Sequence, residues 1–355
     1  YGRPASQPWQ RSMTVDGLNF IEELDSGHFG TVWRAIDTHL DAVRAVKIIP
    51  LATIPNTTDF FGEAKTLNSL AHDNVVRIYS ADWFDADSVY ISMEYLAGGS
   101  TKEEAGGGFL PARRASRVIA DACRGLTFLH GQGFIHGELK PANILVGDGG
   151  EGKLSDFGLA RELDASGEAE SALTYSLHLA PEVVAGGPVT RLADIYALGA
   201  TAYRLFNGDF LLPTVADHTE LRQRIIDGTF PNRTSYQPFV PTRLRRVLNR
   251  AMSTDPDKRY QQVSDFRLAL EAVPIPCDWA YQSAGSTVTW LGDANDRRFE
   301  VRMIRDGSHA KIETRVAVRG GPLRRRNADC LEKVAPAKIR RELAKLLGRV
   351  TENGN

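Results

Sequence analysis

The sequence predicts an α+β fold of two lobes, the first rich in strands and the second in helices, followed by a small C-terminal α+β domain. Three observations carry this expectation. Residues 20–49 read "FIEELDSGHFGTVWRAID" and then "AVRAVKII", alternating text punctuated by glycine, which is a strand signature. Beyond residue 108 the pattern changes to long amphipathic stretches of helical period. From residue 286 three alternating runs return, "STVTWLG", "RRFEVRMIR" and "HAKIETRVAVRG", and a basic helix follows, "PAKIRRELAKLLGRV".

In chain order, "YGRPASQPWQRSM" has no apolar core, so it does not read as a signal peptide. Residues 1–17 are taken as a disordered lead-in or a vector-derived remnant. "DFFGEAKTLNSLA" has helical spacing, while "VVRIYSADWF" and "SVYISMEYL" return to β-type runs, which completes a first lobe over residues 18–96. "AGGSTKEEAGGG" reads as a flexible connector. Helices are expected over Ala112–His130, Arg191–Phe206, Glu220–Ile226, Thr242–Met252 and Gln262–Ala272, giving a second lobe over residues 97–273. Residues 274–355 form the small basic module.

Charge supports that last boundary. The chain holds 43 Lys+Arg and 44 Asp+Glu, but residues 276–355 carry 16 against 10, which leaves 27 against 34 for the rest. The near balance excludes a global electrostatic footprint for nucleic acid or anionic membrane. Three cysteines, Cys123, Cys277 and Cys330, lie far apart with no CxxC pair, which argues against a disulfide framework or a zinc site and for a reducing, cytoplasmic setting. No apolar run approaches the roughly 18 residues of a spanning helix. A soluble chain is the expectation.

"LDSGHFGTV" falls on a strand, turn, strand hairpin, where Gly27 and Gly30 would let backbone N–H groups close over phosphates. It departs from G-x-G-x-x-G because Asp25 holds the first glycine position, and a glycine-rich hairpin alone is usually just a turn. Seventeen residues past Gly30, Lys47 ends "AVK", and Glu63 follows on the next helix. Each alone reads as an ordinary surface residue; together they suit an ion pair that aims an ammonium at phosphates. Asp156 of "SDFGLA" follows a strand and suits a hard, oxygen-liganded Mg²⁺. Thirteen residues earlier Asn143 offers a second oxygen, and Lys140 a charge for a transferred phosphate.

In order and spacing, "SGHFGTV", "AVK", Glu63, "HGELKPAN", "DFG" and "LAPE" resemble the motif set of the eukaryotic-like Ser/Thr protein kinases, over residues 18–273. The resemblance implies the bilobal kinase fold, ATP and Mg²⁺ as cofactors, and a protein substrate or regulated partner protein. It implies Glu138 in the place of the catalytic-loop Asp, with Lys140 beside it, and Asn143 and Asp156 as metal ligands. Val32, Ala45 and Leu145 would then sandwich adenine, Met93 would be the gatekeeper, and the Glu94 carbonyl and Leu96 N–H would bond the adenine edge. Asp194 would hold the catalytic loop from below, Glu182 would pair with Arg259, and Leu67, Ile78, His136 and Phe157 would form an apolar stack.

Four departures qualify that reading. Glu138 stands for Asp, Gly137 for the neighbouring Arg, Asp25 for a glycine, and Tyr175 with His178 for the usual Thr and Tyr before "APE". An added methylene at Glu138 displaces the carboxylate by about 1 Å, and a shift of that size can cost on the order of a hundredfold in rate. Loss of the arginine at 137 leaves a phosphorylated loop without its usual partner, so Ser166, Ser171 and Thr174 should matter little. Two functions follow: a Ser/Thr protein kinase of reduced activity, or a nucleotide-binding pseudokinase that regulates a partner by shape. A third gives the role to the basic tail, although "LRRR" and "KIRREL" read first as solvated faces, so nucleic acid is not the expected partner.

Overall fold

The computed structural model describes residues 14–15, 17–27, 30–54, 57–69, 71–156, 161–162, 177–212, 214–294, 296–318 and 320–353. The chain divides into two compact units, one of residues 1–98 with 146–150 and one of 99–145 with 151–355.

In the first unit, β1 (Thr14–Val15), β2 (Leu18–Gly27), β3 (Gly30–Asp37), β4 (Ala42–Pro50), β5 (Ile78–Trp83) and β6 (Ser88–Glu94) form one six-stranded sheet in the order β1-β2-β3-β4-β6-β5. Every neighbouring pair is antiparallel. The alternation expected over residues 20–49 divides this sheet into two chemically distinct faces. One face buries Ala35, Val46, Ile48 and Tyr90 in a core that Trp33, Phe20 and Phe84 close. Helix α1 (Thr57–Ser69), the one α-helix among this unit's described residues, packs on β5.

The second unit begins with α2 (Thr101–Ala105), where a flexible connector was expected. "STKE" is a capping box: the Ser100 hydroxyl accepts from the Glu103 N–H, and the Glu103 carboxylate accepts from the Ser100 N–H at 2.7 Å. Gly106 then ends the helix in the left-handed region, φ 54°. The long helices follow near their expected bounds: α3 (Ala112–Gly131), α5 (Arg191–Asn207), α6 (His218–Ile226), α7 (Thr242–Ala251) and α8 (Val263–Glu271), with the single turn α4 (Pro181–Val184) before α5. Helix α5 is buried almost throughout, and Gly199 makes that possible, since a Cβ there would lie 2.9 Å from the Ala251 Cβ. Short strands β7 (Phe134–Ile135), β8 (Ile144–Val146), β9 (Gly152–Leu154) and β10 (Arg161–Glu162) pair as β7 with β10 and β8 with β9.

The C-terminal sheet is larger than the three expected runs. Strands β11 (Asp278–Ala284), β12 (Thr287–Ala294), β13 (Arg297–Asp306), β14 (His309–Val318) and β15 (Arg324–Arg325) lie in sequence order, and β16 (Leu331–Val334) pairs with β14. Period-2 burial holds where it was read: Phe299, Val301 and Met303 face inward from β13, Ala310 and Ile312 from β14. Helix α9 (Pro336–Asn353) buries Leu343, Leu346, Leu347 and Val350. Its "KIRREL" stretch keeps Lys338, Arg340 and Arg341 exposed, as a solvated face should. By contacts this sheet groups with the helical part of the chain. Arg113 on α3 anchors the junction, donating to the carbonyls of Ile275 (2.9 Å) and Pro276 (2.6 Å) and through its N–H to Asp278 (3.1 Å). Among the described residues, no helix is long and apolar enough to cross a membrane.

Candidate active site

Strand register fixes which face of the first unit's sheet carries the expected nucleotide-binding residues. Val32 lies opposite Lys47, and Ala45 opposite Met93. Directly paired residues share a face, and so do residues two apart on one strand. Val32, Ala45, Lys47 and Met93 therefore all project from the sheet face opposite the Val46 and Ile48 core. Lys47 is buried on that face, 7% exposed. Its expected partner, Glu63, belongs to α1, but the Glu63 and Leu67 side chains and Phe157 lie outside the described residues. Glu94 ends β6, with its backbone N–H bonded to the Arg77 carbonyl at 2.8 Å, and Leu96 is buried two residues on.

The two hairpin glycines differ physically. Gly30 has φ 119°, and a Cβ on it would sit 1.9 Å from the Ile48 carbonyl oxygen, so only glycine lets β3 approach β4 there. A Cβ on Gly27 would meet nothing within 4 Å. The space beside Gly27 is open, which suits close backbone approach to a ligand. Asp25 is exposed and caps the Ser26 N–H at 2.9 Å.

In the second unit, the expected catalytic-loop residues lie on a frame built on α5. Asp194 is 1% exposed. One carboxylate oxygen accepts from the His136 N–H at 2.8 Å and from His130 Nε2 at 2.9 Å, and the other accepts from the Gly137 N–H at 2.9 Å. Burial alone would push this carboxyl up. The hydrogen bond from His130, with the fields of His130 and His136, holds it below the usual carboxylate range instead. The His136 ring is buried between Ser155 and Glu138. Its Nε2 faces the Ser155 carbonyl at 3.0 Å and so carries the proton, while Nδ1 accepts from the Glu138 N–H at 3.3 Å. Burial lowers its pKa, partly opposed by Asp194, Asp156 and Glu138.

Both backbone groups of Glu138 are thereby fixed, because the Asn143 amide donates to its carbonyl at 2.8 Å. From this held backbone the side chain reaches Lys140, with Oε1 2.6 Å from Nζ. The Glu138 side chain is only 7% exposed and that of Lys140 31%. The extra methylene thus does not send the carboxylate into solvent. It spans to the lysine two residues on.

Asn143 ends a short 3₁₀ turn (Pro141–Asn143), and its carbonyl accepts from the Ser155 N–H at 3.0 Å. This bond clamps the segment before β8 to the one after β9. With its Nδ2 spent on Glu138, Asn143 keeps an Oδ1 that has no hydrogen-bond partner among the described residues. Asp156, next to Ser155, has φ 68°, a left-handed conformation that costs a non-glycine residue about 1–2 kcal/mol and persists where its surroundings over-determine it. The pair offers oxygen donors only, a chemistry that fits Mg²⁺ and not a softer metal.

The family profile of the protein kinase domain matches residues 18–267. This chain belongs to the protein kinase family. Among curated proteins it is similar to serine/threonine-protein kinase PknB of Mycolicibacterium smegmatis, 31% identical over 269 residues that cover 72% of this chain and 42% of that protein. It is 30% identical over 270 residues to serine/threonine-protein kinase PknJ of Mycobacterium tuberculosis, covering 72% and 45%. It is 29% identical over 258 residues to serine/threonine-protein kinase PrkC of Bacillus subtilis, covering 69% and 38%. The chain spans less than half the length of these relatives.

Within this kinase domain the expected Glu182–Arg259 pair is in place, while the expected apolar stack includes Leu67 and Phe157, which lie outside the described residues. Arg259, its side chain fully buried, grips Glu182 through two 2.6 Å bonds and also donates to the carbonyls of Ser253 and Leu192. Gly137 has φ 78°, so the position read as a lost arginine is also a left-handed turn that favours glycine. The sequence did not reveal the partner of His178. That ring is buried and accepts from Arg204 Nη1 at 3.1 Å, while Arg204 forks onto Asp209 at 2.7 and 2.8 Å. Burial, with Arg204 and Lys140 nearby, holds the His178 pKa well below its usual value. These residues are 26 positions apart, beyond any local pattern. Tyr175, Ser166, Ser171 and Thr174 lie outside the described residues.

Proposed function

We propose that the kinase domain is catalytically active, an ATP-dependent serine/threonine protein kinase in which Glu138 is the base. The observation that carries this reading is the buried Glu138 carboxylate, held 2.6 Å from Lys140 on a loop whose backbone is tied at both Glu138 N and O. Phosphoryl transfer depends on positioning and electrostatics, so a carboxylate that is displaced but fixed retains its use. The names of the relatives favour this reading over a pseudokinase scaffold.

In the proposed reaction, a Ser or Thr hydroxyl oxygen of the protein substrate bonds to the γ-phosphorus as the β,γ-bridging P–O bond breaks and ADP departs. The hydroxyl proton passes to Glu138. Lys140 balances charge on the transferred group, and Lys47 meets the remaining phosphates. Val32, Ala45, Met93 and Leu145 hold adenine, with the Glu94 carbonyl and Leu96 N–H at its polar edge. Gly27 and Gly30 cover the phosphates, and Glu63 orients Lys47. Asn143 and Asp156 would hold Mg²⁺, which when bound neutralises phosphate charge. The three free cysteines, Cys123 and Cys277 among them buried, support a reducing cytoplasmic setting.

The test is incubation with γ-labelled ATP, Mg²⁺ and a generic Ser/Thr peptide, with thermal-shift titration alongside. Label transfer that falls at least a hundredfold in Lys47→Ala and Asp156→Ala supports the proposal. Absence of transfer by the unmodified chain, despite nucleotide stabilisation, selects the pseudokinase.

A further inference from the structure

The second unit contains a cavity of about 570 Å³ far from the groups assigned above in sequence and in role. It lies between the helical part of the kinase domain and the C-terminal sheet. Tyr236 and Gln237 line one side, Trp290 and Met303 of the sheet another, and Leu343 of α9 a third. All five are buried; Tyr236, Trp290, Met303 and Leu343 make a largely apolar, partly aromatic floor, and the Gln237 amide donates to the Asn207 carbonyl at 3.0 Å. The volume falls inside the roughly 300–1,000 Å³ of ordinary small-molecule sites.

The rim has a single sign of charge. Arg305, His309 and Arg340 line it and are exposed, and no Asp or Glu is among the lining residues. Asp306 shares the turn with Arg305 but does not line the cavity. Elsewhere in this module some cations are matched, Lys311 with Glu313 and Glu332, Arg315 with Glu300 and Arg326 with Asp329, while Arg298, Arg302 and Arg324 have no ion-pair partner among the described residues. Arg305 has no ion-pair partner among the described residues, and Arg340 has only the Ser235 hydroxyl, at 2.8 Å. The indole N–H of Trp290 is itself inaccessible and has no hydrogen-bond acceptor among the described residues.

We propose that this cavity is a ligand site for a small anionic molecule with an apolar body, its acid group at Arg305 and Arg340 and its body on Trp290 and Met303. An apolar body matches the floor, and a single acid matches a rim with two uncompensated guanidinium groups. The assignment is independent of whether the kinase domain turns over ATP.

The probe is 8-anilinonaphthalene-1-sulfonate, an aromatic body with one sulfonate, titrated against the full chain and followed by its fluorescence. The comparisons are neutral 1-anilinonaphthalene and the double variant Arg305→Gln, Arg340→Gln, whose exposed side chains leave the fold undisturbed. The proposal expects one saturable site for the sulfonate and a Kd at least tenfold weaker in the double variant, with its thermal midpoint unchanged. It expects the neutral compound to bind at least tenfold more weakly than the sulfonate and equally to both proteins. Sulfonate affinities within twofold of each other in the two proteins, equal affinity for the neutral compound, or no saturable binding up to millimolar probe would overturn it.

Discussion

Replacing Asp194 by Asn keeps the shape of the side chain and removes its charge, so it isolates the hydrogen bonds that hold the 136–138 loop. The carboxylate accepts three donors, two on one oxygen and one on the other. Asn has one acceptor atom. In its better orientation it keeps His136 N–H and His130 Nε2 and turns its amide against the Gly137 N–H. Losing one charge-assisted bond costs about 1.5–3 kcal/mol, and reducing the other two to neutral strength costs about 1 kcal/mol each. Burying a neutral amide instead of an ion returns part of this, leaving a net loss of about 3 kcal/mol. For a unit of this size that lowers the thermal midpoint by roughly 6–12 °C. The chain stays folded, since domains are stable by about 5–15 kcal/mol. A freed Gly137 lets Glu138 drift, and about 1 Å of drift costs on the order of a hundredfold in turnover. Differential scanning calorimetry and peptide phosphorylation read the two effects. A midpoint within 2 °C of the unmodified chain, together with turnover within threefold, would refute the view that Asp194 holds this loop.

The same structure makes three further predictions. His178 and His136 are buried with folded pKa values below their ordinary 6.5, so the unfolded chain takes up protons first as pH falls. Their stabilisation is therefore complete above about pH 6.5 and declines below it, and His178→Gln, which preserves an acceptor for Arg204, should flatten the thermal midpoint between pH 7 and 5.5. Gly30→Ala places a Cβ 1.9 Å from the Ile48 oxygen and should destabilise the first unit, whereas Gly27→Ala, with nothing within 4 Å, should leave the melting temperature unchanged and weaken only nucleotide stabilisation. Gly137→Arg forces a side chain into φ 78° and should cost about 1–2 kcal/mol in denaturant unfolding.

What could be read in the sequence depended on how local the physics was. Helices α3 and α5 emerged within a residue of their expected ends, α3 because burial of one face sets its apolar spacing and α5 because it is a long, nearly all-buried apolar run. The β13 and β14 strands were legible because Phe299, Val301 and Met303 alternate with charged residues. Strand β11 was not, since only Trp279 within it is buried and Tyr281 to Ala284 are exposed, which erases the alternation. The connector "AGGSTKEEAGGG" was misread because its glycines outweighed the capping box between them. At the site, Glu182–Arg259 and the Asp194 frame followed from the family resemblance. Arg204–His178 did not, because no motif links those positions. Gly137 had been read only as an absent arginine, while its positive φ is visible only in the folded backbone.

Turnover of Glu138→Asp and Glu138→Gln, measured with saturating MgATP and one peptide substrate, tests the central claim most directly. In the unmodified chain the Glu138 carboxylate is fixed 2.6 Å from Lys140. Asp moves the charge back by one methylene toward the usual geometry of the family, and Gln keeps the length without a proton acceptor. The account predicts that Glu138→Asp holds or raises the rate and that Glu138→Gln lowers it a hundredfold or more, with all three proteins stabilised equally by MgATP. Equal rates for Glu, Asp and Gln would contradict it, because phosphoryl transfer would then proceed without a base at this position.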